Sequence, residues 1–363
     1  MIYADYNATT PLDPEVRAAM NEALDMSFGN PSSIHSAGQA ARRLVDRARA
    51  QVAGLIGAAP DEIVFTSGGT ESDNLAVLGA AAAASGERKR VVTSAVEHKA
   101  VLDPCAFLQT KGHAVSFLPV DRDGRVDLAA LETAVKADVA LVSLMLANND
   151  TGTLQPVAEA AQAVKAGGAL MHSDAVQAAG KLPIDVKTLG VSLLSFSSHK
   201  IHGPNGAGAL FVRYGTGLAP LVHGGRQERT LRPGTENVPA IVGFGKACEL
   251  ARTRLEADAR RVAELRDHFE RQILDGVPDT RINGGIIRLP NTSNIAFAGL
   301  DGEAITINLD MLGMAVSTGA ACSSAEARSS VRFSFGRDNS DEEIERAIYL
   351  VVQAVQLLRA VRS

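Results

Sequence analysis

Short apolar runs separated by helix-length stretches give the chain its texture. Residues 62–66, 91–93, 114–118, 140–146, 169–172, 191–194 and 209–212 concentrate Val, Ile, Leu and Phe between turn-forming residues, so each reads as a buried strand. Between them, residues 38–56, 75–84 and 98–110 are rich in helix formers, and Asp13-Pro14-Glu15 opens a further helix with proline at its first position. Strands that alternate with helices predict an α/β fold in which helices cover both faces of a mostly parallel central sheet. Near Gly243 the texture changes. Residues 248–274 read as a long charged amphipathic helix, and a strand at 293–297 with a helix at 341–359 predicts a smaller C-terminal α+β domain. The predicted division is 14–245 for the large domain and 1–13 with 246–363 for the small one.

The connection between the runs at 191–194 and 209–212 carries one lysine, in Ser197-Ser198-His199-Lys200-Ile201-His202-Gly203-Pro204-Asn205-Gly206-Ala207-Gly208. Gly203, Pro204, Gly206 and Gly208 let the backbone turn sharply, while Ser197, Ser198 and His199 offer hydrogen bonds to an anion or a ring. By residue type alone Lys200 is a solvated loop lysine, and the cradle around it is what raises a chemical reading.

A second stretch, Ser67-Gly68-Gly69-Thr70-Glu71-Ser72-Asp73-Asn74, leaves a strand and opens a helix, the geometry in which backbone amides and a positive helix end hold a phosphate. No lysine follows the glycines, so this is not a P-loop, and a plain capped turn is the competing reading. Asp174 ends a predicted strand where open α/β sheets bind ligands, with Gln177 three residues on; as a helix or turn cap Asp174 would be equally at home. An aspartate there can pair with a pyridinium nitrogen and keep it protonated. His98 follows another strand and can stack flat on a ring, although histidines near helix starts are more often caps.

Together these segments resemble the class V aminotransferase family, and within it the type I cysteine desulfurases. The family carries Ser-Phe-Ser-Xaa-His-Lys followed by Gly-Pro-Xaa-Gly, which matches Ser195 to Gly206; the Asp5 to Pro11 arm and the segment from Glu97 to Leu102 match as well. The resemblance implies a fold-type I enzyme dependent on pyridoxal 5'-phosphate (PLP), with Lys200 as the Schiff-base lysine and Gly69 and Thr70 on the phosphate. It implies further that Asp174 meets the ring nitrogen, Gln177 the phenolic oxygen, and Ser197 and His199 the cofactor. His98 stacks on the ring and handles protons, and Asn149 contacts cofactor or substrate. Arg226 to Asn237 matches a segment whose threonine, here Thr235, reaches the phosphate in the other subunit, so a homodimer is implied. Ser317-Thr318-Gly319-Ala320-Ala321-Cys322-Ser323-Ser324 matches the loop of the persulfide cysteine, and Arg332 the arginine that clamps the substrate carboxylate. By base rate Cys322 is an incidental buried thiol.

The implied reaction converts L-cysteine to L-alanine and leaves the sulfur on Cys322, from which a scaffold or carrier protein takes it for iron-sulfur cluster assembly or thiolation. A selenocysteine lyase or another class V PLP aminotransferase is the enzymatic alternative, and an inactive docking scaffold the alternative of another class. The family usually has Glu where this chain has Asp150. Arg332 stands only ten positions after Cys322. About fifteen residues, a helix with its turn, are missing by comparison with relatives, which predicts an omission between residues 325 and 326.

Composition narrows the classes without choosing among them. With 36 basic against 41 acidic residues the 363-residue chain has a net charge of −5 and no basic block, which argues against nucleic acid as a partner. Three cysteines, Cys105, Cys248 and Cys322, without a Cys-Xaa-Xaa-Cys pair suggest neither a disulfide framework nor a metal site, and fit a reducing compartment. The longest apolar stretch, 75–84, is too short to span a bilayer, so no membrane role and a cytoplasmic location are expected.

Overall fold

Strand and helix alternate through the first part of the chain, and the computed structural model, which describes residues 1–26, 28–86, 88–319 and 328–362, shows how they layer. After β1 (Ile2–Tyr3) come α1 (Pro14–Met26), α2 (Ser36–Leu55), β2 (Ile63–Thr66), α3 (Gly69–Ala83), β3 (Arg90–Ser94), α4 (Lys99–Thr110) and β4 (Ala114–Leu118). Then follow α5 (Leu128–Ala134), β5 (Val139–Ser143), α6 (Val157–Ala166), β6 (Leu170–Asp174), α7 (Val186–Leu189), β7 (Leu193–Ser197) and β8 (Gly208–Val212). Seven of these strands form one sheet in the order β2-β8-β7-β6-β5-β3-β4. Neighbours pair in parallel except around β8, which runs antiparallel to both β7 and β2. Every residue of β2, β5, β7 and β8 is buried, as continuous apolar strands require when helices cover both faces.

The remaining elements build a second layer pair. α8 (Val238–Gly276) leads to β9 (Thr280–Ile282), β10 (Thr292–Phe297), α9 (Gly302–Met311), β11 (Met314–Ala315), β12 (Ser317–Thr318), β13 (Ser330–Ser334) and a last helix, Asp341–Arg362. Strands β12, β13, β10 and β9 form an antiparallel sheet, and β1 pairs with β11. Its core joins Ile2 and Ala4 to Leu265, Phe269, Phe297 and Phe333, apart from the core around the large sheet. α8 belongs to both: Phe244 and Cys248 pack into the first core, Leu265 and Phe269 into the second.

Some predicted bounds move. α3 begins at Gly69, not residue 75, because the polar run Thr70 to Asn74 hides its first turn from a reading by hydrophobicity, although Ser72 and Asp73 are buried. α8 begins at Val238, not residue 248, where the Asn237 side chain caps it by accepting from the Ala240 amide at 3.3 Å. β5 ends at Ser143, short of the predicted 146. Beyond it Leu146 still donates its amide to Asp174 O at 2.7 Å, while the chain bends away as a loop over the sheet edge.

Candidate active site

At the carboxyl edge of the large sheet the strand ends of β2, β3, β5, β6 and β7 open onto one cavity of about 250 Å³. Its wall takes Gly69 and Thr70 from the start of α3, His98 from the loop before α4, Asn149 from the loop after β5, Asp174 and Gln177 from the end of β6, and Ser197, His199 and Lys200 from the end of β7. Nine residues singled out in the sequence thus converge on one space.

One end suits an anion. Gly69 is the first residue of α3, a 15-residue helix whose free amides point along its axis, and the buried Ser197 hydroxyl beside them has no partner among the described residues. Close packing explains the glycines: a Cβ on Gly208 would stand 2.5 Å from Gly68 Cα, and one on Gly69 would stand 2.6 Å from Val176 Cγ2. Glu71 braces the turn by accepting the Ser67 amide at 2.7 Å and pairing with Arg232 at 2.9 Å.

The floor holds acids. Asp174 accepts the Val176 amide at 2.8 Å, and burial raises its carboxyl above the ordinary range. Asp73, also buried, is pushed well up by desolvation and by its neighbour Asp174. Behind them His172 is held between Ser143 Oγ at 2.8 Å and Ser195 Oγ at 2.9 Å, and burial lowers it to about 3, a neutral ring. Burial likewise lifts Glu97 to about 8, where it accepts from Ser94 Oγ at 2.7 Å and from the Met145 amide at 3.0 Å. His98 caps α4 with Nδ1, which accepts the Ala100 amide at 3.1 Å, so its ring plane is fixed and Nε2 is left for other partners.

Lys200 closes the third side from a single turn after β7. Its amine donates to the carbonyls of Asn7 and, at 2.7 Å, of Ala8. Burial first, then the Arg332 guanidinium, lower it to about 8, so a useful fraction of neutral amine exists near neutral pH. His199, fixed by Thr9 Oγ1 at 3.1 Å, is lowered to about 4 by burial and by the cations Lys200 and Lys181.

Arg332 lies on β13 just outside the cavity lining. One guanidinium nitrogen donates to Asn149 O at 3.0 Å and another to Asp5 Oδ1 at 2.9 Å, while Nε has no partner among the described residues. Thr235 is exposed on a loop and does not line this cavity. Cys322 and the expected omission between residues 325 and 326 lie outside the described residues.

Sequence reasoning missed three contributors. Asn7, in the N-terminal arm, is buried and hydrogen-bonded to Gln177, Lys181, Lys200, Asn149, Asn291 and Thr292. Lys181 contacts Asn7 and Gln177, and Asp73 lines the floor. Only Asp73 left a local signal, one helical turn after the glycines.

The residue set fits PLP: a helix start with an unpartnered hydroxyl for its phosphate, a buried carboxyl for its ring nitrogen, and an amine of lowered pKa for its aldehyde. Comparison with known proteins agrees. A family model for aminotransferase class-V proteins matches residues 2–347. The chain is 45% identical over 377 aligned positions to a cysteine desulfurase IscS of Dictyoglomus turgidum, covering 99% of this chain and 96% of that one. It is 46% identical to a cysteine desulfurase of Sinorhizobium fredii, covering 99% and 98%. Among solved structures, a NifS-like protein superposes with a TM-score of 0.93 at 37% identity, covering 99% of both chains.

Proposed function

We propose, for a chain that belongs to the aminotransferase class-V family, that the cavity at the sheet edge is where Lys200 handles protons for the desulfuration of L-cysteine and Cys322 receives the sulfur. The chain is a PLP-dependent cysteine desulfurase. One observation carries the assignment of roles: the amine of Lys200, the buried carboxyls of Asp174 and Asp73 and the start of α3 with its free amides face the same cavity.

Bound there, PLP supplies an electron sink for charge that develops on the substrate. Lys200 would hold the cofactor through its amine and, freed from it when cysteine binds, would take the proton from the substrate Cα. Asp174 would meet the ring nitrogen, with Asp73, whose carboxyl is pushed further up, beneath it. Arg332 meets the substrate carboxylate once its contacts to Asp5 and Asn149 rearrange. The Cys322 thiolate attacks the substrate sulfur: an S–S bond forms, the Cβ–S bond breaks, and the carbon retains the electron pair and is protonated to the methyl group of alanine. A free thiol near pKa 8.5 is mostly protonated at neutral pH, so a base must remove its proton first, and His98 stands at the mouth with Nε2 available.

Thr235 serves the neighbouring subunit of a homodimer in this reading, a role supported by its exposure on a loop. A carrier or scaffold protein then takes the sulfur for cluster assembly or thiolation, in a cytoplasm reducing enough to keep Cys105 and Cys248 as free thiols. Replacement tests the division of labour. Lys200→Ala should lose the visible absorption band of the lysine-bound cofactor and all turnover, and Cys322→Ser should still bind cysteine but form no persulfide. Wild-type turnover in the first, or undiminished persulfide in the second, refutes the corresponding role.

A further inference from the structure

Four positions after Gln177, Lys181 sends its amine toward the arm, donating to Gln177 Oε1 at 3.0 Å and to Asn7 Oδ1 at 3.1 Å. Both acceptors are neutral amide oxygens, an uncommon setting for a half-buried lysine. Burial, together with the nearby cations Lys200 and Arg332, pushes this amine well below its ordinary range.

In both contacts the Lys181 nitrogen is the donor, so each amide turns its oxygen toward it. For Gln177 that turns Nε2 to the Asn7 carbonyl at 2.9 Å. For Asn7, whose Oδ1 also accepts Asn291 Nδ2 at 3.0 Å, it turns Nδ2 to Thr292 Oγ1 at 2.9 Å and Asn149 O at 3.2 Å. The Asn7 carbonyl held in this way is the one on which the Lys200 amine rests. Amide oxygen and nitrogen have nearly the same shape, so without a fixed donor either side chain could turn over at little steric cost.

We propose that Lys181 is a positioning residue for Lys200: by holding the side-chain oxygens of Asn7 and Gln177 it fixes the carbonyl that receives the Lys200 amine and keeps Gln177 Nε2 turned away from itself. The assignment rests on the proposed role of Lys200.

Two variants test it from opposite ends. Lys181→Met keeps the length and removes the donor; Asn7→Ala removes the shared acceptor and keeps the backbone carbonyl. Each is compared with wild type for the affinity of apoprotein for PLP, followed by fluorescence, for kcat and KM with cysteine, and for thermal unfolding. Loss of one such hydrogen bond should weaken PLP binding and lower kcat each by about tenfold, with KM changed less than about twofold. The double variant should lose less than the sum of the two single losses, because the Lys181–Asn7 contact is common to both. Wild-type PLP affinity and kcat in folded Lys181→Met, or losses that add in the double variant, overturn the proposal. If Lys181→Met does not fold, wild-type values in Asn7→Ala overturn it. Lys200→Ala separates the premise: persistence of its visible band sinks the role of Lys200, whereas unchanged Lys181→Met sinks that of Lys181 alone.

Discussion

At Lys200, burial and a neighbouring guanidinium act in the same direction. The amine is lowered to about 8 by desolvation and by Arg332, against partial opposition from Asp174 and Asp5. In apoprotein its reactivity toward an aldehyde should therefore rise with pH through a midpoint near 8, while exposed lysines follow only near the ordinary value of about 10.4. Arg332→Met removes a cation that disfavours the charged amine, so the midpoint should move up, toward the ordinary value. Pulse labelling at a series of pH values, read by mass spectrometry at Lys200, checks both statements; a wild-type midpoint near the ordinary lysine value, or no movement in Arg332→Met, contradicts them. Lys200, Asp174 and His98 were legible in the sequence because each sits in a local motif at a strand end. Asn7 was not. Its partners Gln177, Lys200 and Asn291 lie far along the chain, and nothing within a few residues of Asn7 marks it as their meeting point. Lys181 is in the same position, a lysine after a glycine whose acceptors appear only when the arm folds back.

Elements place these residues by how closely their ends approach. At the start of α3 the turn Gly68–Gly69 lies against the first residue of β8, and a Cβ on Gly208 would come 2.5 Å from Gly68 Cα. The obstacle is backbone, which has no rotamer with which to give way, so Gly208→Ala must separate the strand from the turn. A cost of about 1–3 kcal/mol is expected, as for other overpacked sites, together with weaker PLP binding because the same turn carries the amides of α3. Gly217→Ala is the control, since a Cβ there meets nothing within 4 Å. Urea unfolding and PLP titration of the two variants should differ in this order; equal behaviour would show that the turn yields freely. Hydrophobic periodicity revealed that strands alternate with helices, but it placed the start of α3 six residues late, at 75 instead of Gly69. The reason is physical: Thr70 and Asp73 face the cavity, while Glu71, Ser72 and Asn74 hydrogen-bond to Ser67, Thr66 and the Ala100 carbonyl, so the first turn is polar throughout. A pattern that reports burial among apolar side chains is silent where burial serves a site.

On the scale of the molecule, the arm that carries Asn7 is tied down by Asp13. Its carboxylate accepts the Glu15 amide at 2.8 Å at the start of α1 and Arg254 at 3.0 Å on α8, and it pairs with Arg337, which follows β13. Its backbone amide donates to His202 O at 3.0 Å, two residues beyond Lys200. One carboxylate thus joins the arm, the long helix shared by both cores and the small sheet. Burial pushes its pKa up, but the Glu15 amide and the two guanidinium groups outweigh that and hold it below the ordinary carboxylate range. A carboxyl whose folded pKa is depressed stabilises the fold above its unfolded pKa, and the stabilisation disappears as pH falls through the folded value. Asp13→Asn leaves two guanidinium groups without their shared charge, so at neutral pH it should lower stability by about 1–3 kcal/mol, the smaller end reflecting the partial exposure of Arg254. The gap between wild type and variant should then narrow as pH drops below about 4, where the carboxyl of the unfolded chain takes up its proton, and should close once pH falls below the depressed folded value. Urea unfolding midpoints of both proteins across that range measure it directly: a gap that stays constant from neutral to acid pH would mean that the charge of Asp13 contributes nothing to holding the arm, and that shape and backbone bonds alone keep Asn7 over the cavity.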